Sequence, residues 1–114
     1  MLDPELIPMV AARFKVLAEP ARLAILSALQ GGEKSVSDLV EASGRSQPNV
    51  SQHLASLLKA GLVTCRREGN RVLYSNADPY VLKICDAVCT SLTARARVEA
   101  ERLGAVPRSV RRRK

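Results

Sequence analysis

Aromatic side chains are nearly missing from this chain: in 114 residues there is no Trp, one Phe and two Tyr. A core must therefore be assembled mainly from Leu, Val, Ala and Ile, which suits packed helices. No apolar run approaches the roughly 18 residues that would span a bilayer. The opening "MLDPELIPMV" puts acidic residues where a signal peptide carries positive charge. A cytoplasmic protein with no membrane partner is expected. Histidine occurs once, so a His-rich metal centre is not available. There is also no Gly-rich phosphate loop and no nucleophile with a plausible His base nearby in sequence, and an enzyme is not expected. The three cysteines, an odd number in a reducing compartment, read as free, metal-binding or redox-active thiols rather than disulfide staples.

The length fits one domain, expected over 1–104, and a domain this small leaves enough surface exposed that oligomerisation would help it. Residues 105–114 form a basic tail, expected to be disordered. The tail holds Arg108, Arg111, Arg112, Arg113 and Lys114, five of the eighteen basic residues, so the rest of the chain carries only about +2 of the net +7. Bulk charge by itself therefore does not establish a nucleic-acid partner.

Along the chain, Asp3-Pro4 is a plausible cap and first turn, Pro8 interrupts any early helix, and Val10, Phe14 and Leu17 fall on one stripe of a short helix starting near Val10. "EPARLAILSALQGG" predicts a second helix opened by Pro20, with Leu23, Ile25, Leu26 and Leu29 as its apolar face and Gly31-Gly32 as its stop. "SVSDLVEASG" predicts a shorter third helix capped by Ser37, with Leu39 and Val40 turned inward and Gly44 at its end. After the turn "GRSQ", a fourth helix is capped by Ser46 and started by Pro48. Val50, Leu54, Leu57 and Leu58 are spaced as its buried face, while Gln47, Asn49, Ser51, Gln52 and Lys59 point elsewhere. A face that needs only solubility tends to use Glu and Lys. This one carries amides and hydroxyls.

Beyond Gly61 the periodicity changes. "LVTCRREGNRVLYSN" reads as two short strands around Gly69-Asn70, residues that tolerate the positive φ of a hairpin turn, with Arg66, Arg67 and Arg71 at its tip and flanks. Asp78-Pro79 then opens a long helix that runs to Gly104. The predicted fold class is mainly α with a small β-hairpin: two helices, a helix-turn-helix, a basic hairpin and a long last helix. In a winged helix-turn-helix domain the second helix of the pair enters the major groove and the hairpin, or wing, contacts phosphates or the neighbouring groove. Gln and Asn suit adenine edges, Ser several bases, and arginine the phosphates.

Three stretches, "FKVLAEPARLAILSAL", "SQPNVSQHLASLLKAGLV" and "RREGNRVLYS", together resemble the ArsR/SmtB (arsenic-repressor) family of bacterial winged-helix transcriptional regulators, over about 10–100. The resemblance implies a homodimer formed through the first and last helices, binding a two-fold symmetric DNA operator and releasing it to an inducer. It also implies Ser46, Gln47, Asn49, Ser51, Gln52 and His53 as DNA-reading residues, with Arg66, Arg67 and Arg71 on the wing. Simpler roles stay open: Ser46 as a cap, Pro48 as a helix starter, the arginines as a solvated hairpin.

The resemblance also implies three kinds of effector site. The zinc site on the last helix needs histidines, and this helix has none; the arsenic site needs Cys-x-Cys at the start of the third helix, where the chain reads "SVSDL". Sulfide-responsive relatives hold one thiol on the second helix, and "ARLAILSALQ" has none. What remains is "VLKICDAVCTSL", with Cys85 and Cys89 four residues apart. Residues so spaced share one helical face with Cβ atoms about 6 Å apart, too far for an unstrained disulfide but suited to sharing one soft ion. The candidate effector is As(III), Sb(III) or another soft metal, with Cys65 as a conceivable third donor. No cofactor is required. Oxidation or persulfide chemistry at the same pair is the alternative. So is simple packing, since both cysteines continue the stripe of Leu82, Leu92 and Ala96.

Overall fold

The computed structural model describes residues 2–104; the basic tail named above lies outside them. Two compact units divide the chain between Pro79 and Tyr80.

The first unit contains helices α1 (Ile7–Leu17), α2 (Pro20–Ala28), α3 (Val36–Ser43) and α4 (Gln47–Lys59), and strands β1 (Lys34–Ser35), β2 (Val63–Glu68) and β3 (Arg71–Asn76). Helix α1 starts three residues earlier than the apolar stripe predicts, because Pro8 stands in its first turn, where its missing N–H costs nothing. Proline thus starts this helix rather than interrupting it. Helix α2 opens on Pro20 and tightens through a 3-10 turn, Leu29–Gly31, before Gly32 leaves the helix at φ 123°, a conformation that favours glycine.

Strand β1 adds a third strand to the predicted hairpin. It is two residues long, and it pairs antiparallel with β3 at the register Lys34↔Tyr74 and Ser35↔Leu73 to complete a sheet of order β1-β3-β2. So short a strand leaves no readable alternation in sequence. Its presence shifts the start of α3: Ser35, not Ser37, is the cap, its Oγ accepting from the Asp38 N–H while the Asp38 carboxylate accepts from the Ser35 N–H, both at 3.1 Å. The reciprocal pair satisfies two backbone donors at once. Gly44 ends α3 in the left-handed region at φ 70°.

The core of this unit is aliphatic. Ile25 of α2, Leu39 of α3, Val50, Leu54 and Leu57 of α4, and Leu62 and Val63 at the entrance to β2 are all buried, and α4 lies against α2, α3 and β2. Each such side chain contributes about 1.5–3 kcal/mol of apolar burial. The predicted apolar faces need three corrections at their edges. Leu23, Leu58 and Phe14 are exposed, with Ala21 buried where α2 meets its neighbours; helical spacing finds the centre of a face better than its margin.

The hairpin β2–β3 keeps a two-residue connection, with Glu68 opposite Arg71. Only Gly69 has a positive φ, 61°, and Asn70 does not, the pattern expected when glycine holds the first central position of a primed turn. The second unit is dominated by α5 (Pro79–Leu103). No helix among the described residues is long and apolar enough to cross a membrane.

Candidate nucleic-acid interface

Helix α4 is built to present one polar face. Burying Val50, Leu54 and Leu57 fixes its rotation, and the opposite side then carries Pro48, Gln52, Ala55 and Lys59, all exposed. The amide of Gln52 makes no hydrogen bond among the described residues. Gln47 and Ser51 flank this face one turn apart, Gln47 Nε2 donating to Ser51 Oγ at 2.9 Å. Ser46 caps the helix, its Oγ accepting from the Asn49 N–H at 3.2 Å.

Asn49 and His53 occupy the other flank. The Asn49 Oδ1 is out of solvent with no hydrogen-bond partner. Half-buried His53 accepts at Nδ1 from Arg22 Nε, 3.3 Å away, and Arg22 also donates to the Val16 carbonyl at 3.1 Å. One ring nitrogen of His53 is therefore committed to the scaffold, leaving Nε2 for an external partner. The Arg22 contact had no signal in the sequence, since the two residues lie 31 positions apart.

Charge is arranged with equal economy. Between Glu41 and Glu68 the chain contains no acidic residue, while Arg45, Lys59, Arg66 and Arg67 fall within that span. Helix α4 itself therefore carries no carboxylate. This was legible in the sequence and is a sharper signal than the net charge.

The three wing arginines differ from one another. Arg66 is held by two carboxylates: its Nε and one terminal nitrogen bind Glu33 at 2.6 and 2.8 Å, and Glu68 lies 2.7 Å away. Arg71 contacts Asp38 at 3.2 Å. Arg67 is exposed and has no acidic partner among the described residues. The hydrogen bond from Arg66 holds the Glu33 carboxyl below its usual range, and Arg66 itself is made harder to deprotonate, chiefly by Glu33. Asp38 is also lowered, first by the Ser35 N–H and then by the Ser35 side chain, with the charge of Arg71 a smaller contribution.

Cys65 is exposed on β2; on α5, Cys85 is half-buried and Cys89 exposed, and none of the three is in a disulfide. The four-residue spacing on a continuous helix keeps Cys85 and Cys89 on one side of it. Among the described residues, no group of three or more His, Cys, Asp or Glu side chains gathers where it could hold a metal ion.

A capped helix pair whose second helix offers an acid-free polar face, followed by an arginine-bearing two-stranded wing, is the frame of a winged helix-turn-helix transcriptional regulator. The profile described as "Bacterial regulatory protein, arsR family" matches residues 19–64, which run from the start of α2 into β2. The chain is 44% identical over 75 residues to a probable mercury resistance operon repressor from Streptomyces lividans, covering 65% of this chain and 60% of that relative's length. The crystal structure of Mycobacterium tuberculosis Rv0081 superposes with a TM-score of 0.69 at 38% identity, covering 90% of this chain and 99% of that one. The homodimeric winged helix-turn-helix DNA-binding domain Mb0332 from Mycobacterium bovis superposes at 0.68 and 34% identity, covering 81% and 87%. This chain belongs to the arsR family of bacterial regulatory proteins, and it is a regulator rather than an enzyme.

Proposed function

We propose that the chain is a cytoplasmic, dimeric repressor that binds a palindromic operator through α4 and the wing, and releases it when a thiol-reactive effector engages Cys85 and Cys89. The observation that carries the DNA part is the outward face of α4, where Gln47, Ser51 and Gln52 stand with no carboxylate on the helix. Amides of this kind pair with base edges, while arginines on the wing neutralise phosphate. Ser46, Asn49 and His53 complete the reading helix in this proposal.

A second copy of the chain is the occupant expected for the exposed apolar residues of α1 and α5. Ile7, Met9 and Phe14 on α1, and Val88, Leu92 and Val98 on α5, are solvent-exposed in the single chain. Leaving so many uncovered is unfavourable, and the relative Mb0332 is homodimeric. Two-fold symmetry would then set two copies of α4 on successive major grooves.

For the effector, the support is chemical. Two thiols on one helical face suit a soft ion such as As(III), Sb(III) or mercury, and one relative is named for mercury resistance. An ion that needs three thiolates would draw the third from a partner chain or from an external thiol. Release follows from linkage: the effector must bind the operator-incompetent dimer more tightly, and couplings of about 1–3 kcal/mol weaken DNA binding roughly 5- to 150-fold. Oxidation of the same pair is the second reading, favoured by the exposure of Cys89.

The test is a titration of the reduced protein on its own promoter DNA with arsenite, antimonite, mercury, cadmium, peroxide and persulfide. A single chemical class should release the unaltered protein. Cys85→Ser with Cys89→Ser should bind the operator and ignore that class; unchanged induction in the double variant would reject cysteine sensing.

A further inference from the structure

The three wing arginines invite a uniform role as phosphate contacts, but their surroundings are not uniform. We propose that Arg66 is a positioning residue, a strut that fixes the wing to the β1 edge, and that Arg67 is the wing cation that meets the DNA backbone. This rests on the DNA-binding reading above and divides labour within it.

The geometry of Arg66 supports the first half. Glu33 immediately precedes β1, whereas Arg66 is in the middle of β2, 33 positions later, with β3 running between the two strands. The guanidinium therefore reaches across the central strand. It does so with two parallel hydrogen bonds, 2.6 Å from Nε and 2.8 Å from a terminal nitrogen, and that same nitrogen also meets Glu68 at 2.7 Å. A single exposed ion pair is worth little, and the exceptions are bidentate pairs and networks. Here both apply.

Electrostatics argues in the same direction. One guanidinium against two carboxylates leaves this trio with a net charge of −1 when all are ionised, so a phosphate approaching Arg66 meets a negative cluster. Taking Arg66 onto DNA would strip two carboxylates of their cation in exchange for one phosphate. The neighbouring Arg71–Asp38 contact on the same face is electrically neutral and adds no compensating charge.

Arg67 differs in each respect. Successive strand residues point to opposite faces, so Arg67 lies across the sheet from the Glu33–Arg66–Glu68 trio. In register it stands opposite Val72, and two residues back Cys65 faces Tyr74. None of these is acidic. Arg67 has full use of its charge.

The two roles separate in the salt dependence of binding. Each phosphate neutralised adds about 0.9 to the slope of log affinity against log salt. On a palindromic promoter duplex, Arg67→Gln is expected to lower that slope by about one per wing. Arg66→Gln is expected to keep the wild-type slope and lose roughly two- to five-fold in affinity, the equivalent of a well-formed exposed ion pair. In the free protein, Arg66→Gln should speed amide hydrogen exchange in β2 and β3, and Arg67→Gln should not. The charge swap Glu33→Arg with Arg66→Glu, made together with Glu68→Gln so that the new carboxylate does not face a like charge, should recover both exchange protection and affinity.

Collapse of affinity in the swap, or a lowered slope in Arg66→Gln, would make Arg66 a phosphate contact and overturn the proposal. If the unaltered protein bound no duplex, the DNA-binding reading would fail, and with it the role given to Arg67. The strut would still stand or fall on the exchange rates of the hairpin.

Discussion

Arg22 Nε donates a hydrogen bond to Nδ1 of His53 across 3.3 Å, tying α2 to the flank of α4. The same guanidinium holds the last turn of α1 through the Val16 carbonyl. One side chain on α2 thus links α4 and the end of α1.

Arg22→Met is accordingly expected to destabilise the fold by about 1 kcal/mol, the net value of a typical hydrogen bond, with urea unfolding as the measurement. Its effect on operator affinity should exceed what the small loss of folded protein explains, because α4 loses an anchor. Equal operator affinity in the variant would mean that packing of Val50, Leu54 and Leu57 alone orients the helix.

The Ser35–Asp38 capping pair gives a second expectation. Ser35→Ala should cost about 1 kcal/mol, seen as a lower melting temperature. Asp38 and Glu33 have folded-state carboxyl values below their ordinary ones. Their contribution to stability is therefore fully present above the unfolded carboxylate range near pH 4 and is lost as pH falls through the lowered folded values. A melting curve series from pH 6 downward should fall less steeply for Asp38→Asn with Glu33→Gln than for the unaltered chain.

Phe14 tests the dimer. It is the only phenylalanine, and half of its surface is exposed on α1, at 50%. Phe14→Glu should leave the monomer folded, since the residue lies outside the core, and shift sedimentation from dimer to monomer. Operator affinity should drop with it, because one α4 then reads one half-site. A variant that remains dimeric would place the interface elsewhere.

Much of the fold was legible where sequence chemistry is local, Pro8 in the first turn of α1 excepted. Pro20, Gly44, Ser46 and the Gly69 turn each set their element through backbone geometry that no neighbour overrides. Strand β1 and the Ser35 cap were not legible, because a two-residue strand exists only by pairing with β3, 38 positions away for Ser35↔Leu73. For the site, the polar face of α4 could be read from spacing. The unequal states of Arg66, Arg67 and Arg71 could not, since their partners Glu33 and Asp38 are brought to the wing by the sheet.

The outward face of α4 is proposed to read DNA sequence. Its most direct test is fluorescence anisotropy of the protein on its promoter palindrome and on a scrambled duplex of equal length and composition, across a salt series, with Gln52→Ala alongside. The expected result is a clear preference for the palindrome, affinity that falls steeply with salt on both duplexes, and a loss of about 1–3 kcal/mol of discrimination per half-site in Gln52→Ala with the salt slope unchanged. Equal affinity for the two duplexes by the unaltered protein, or binding indifferent to salt, would contradict it.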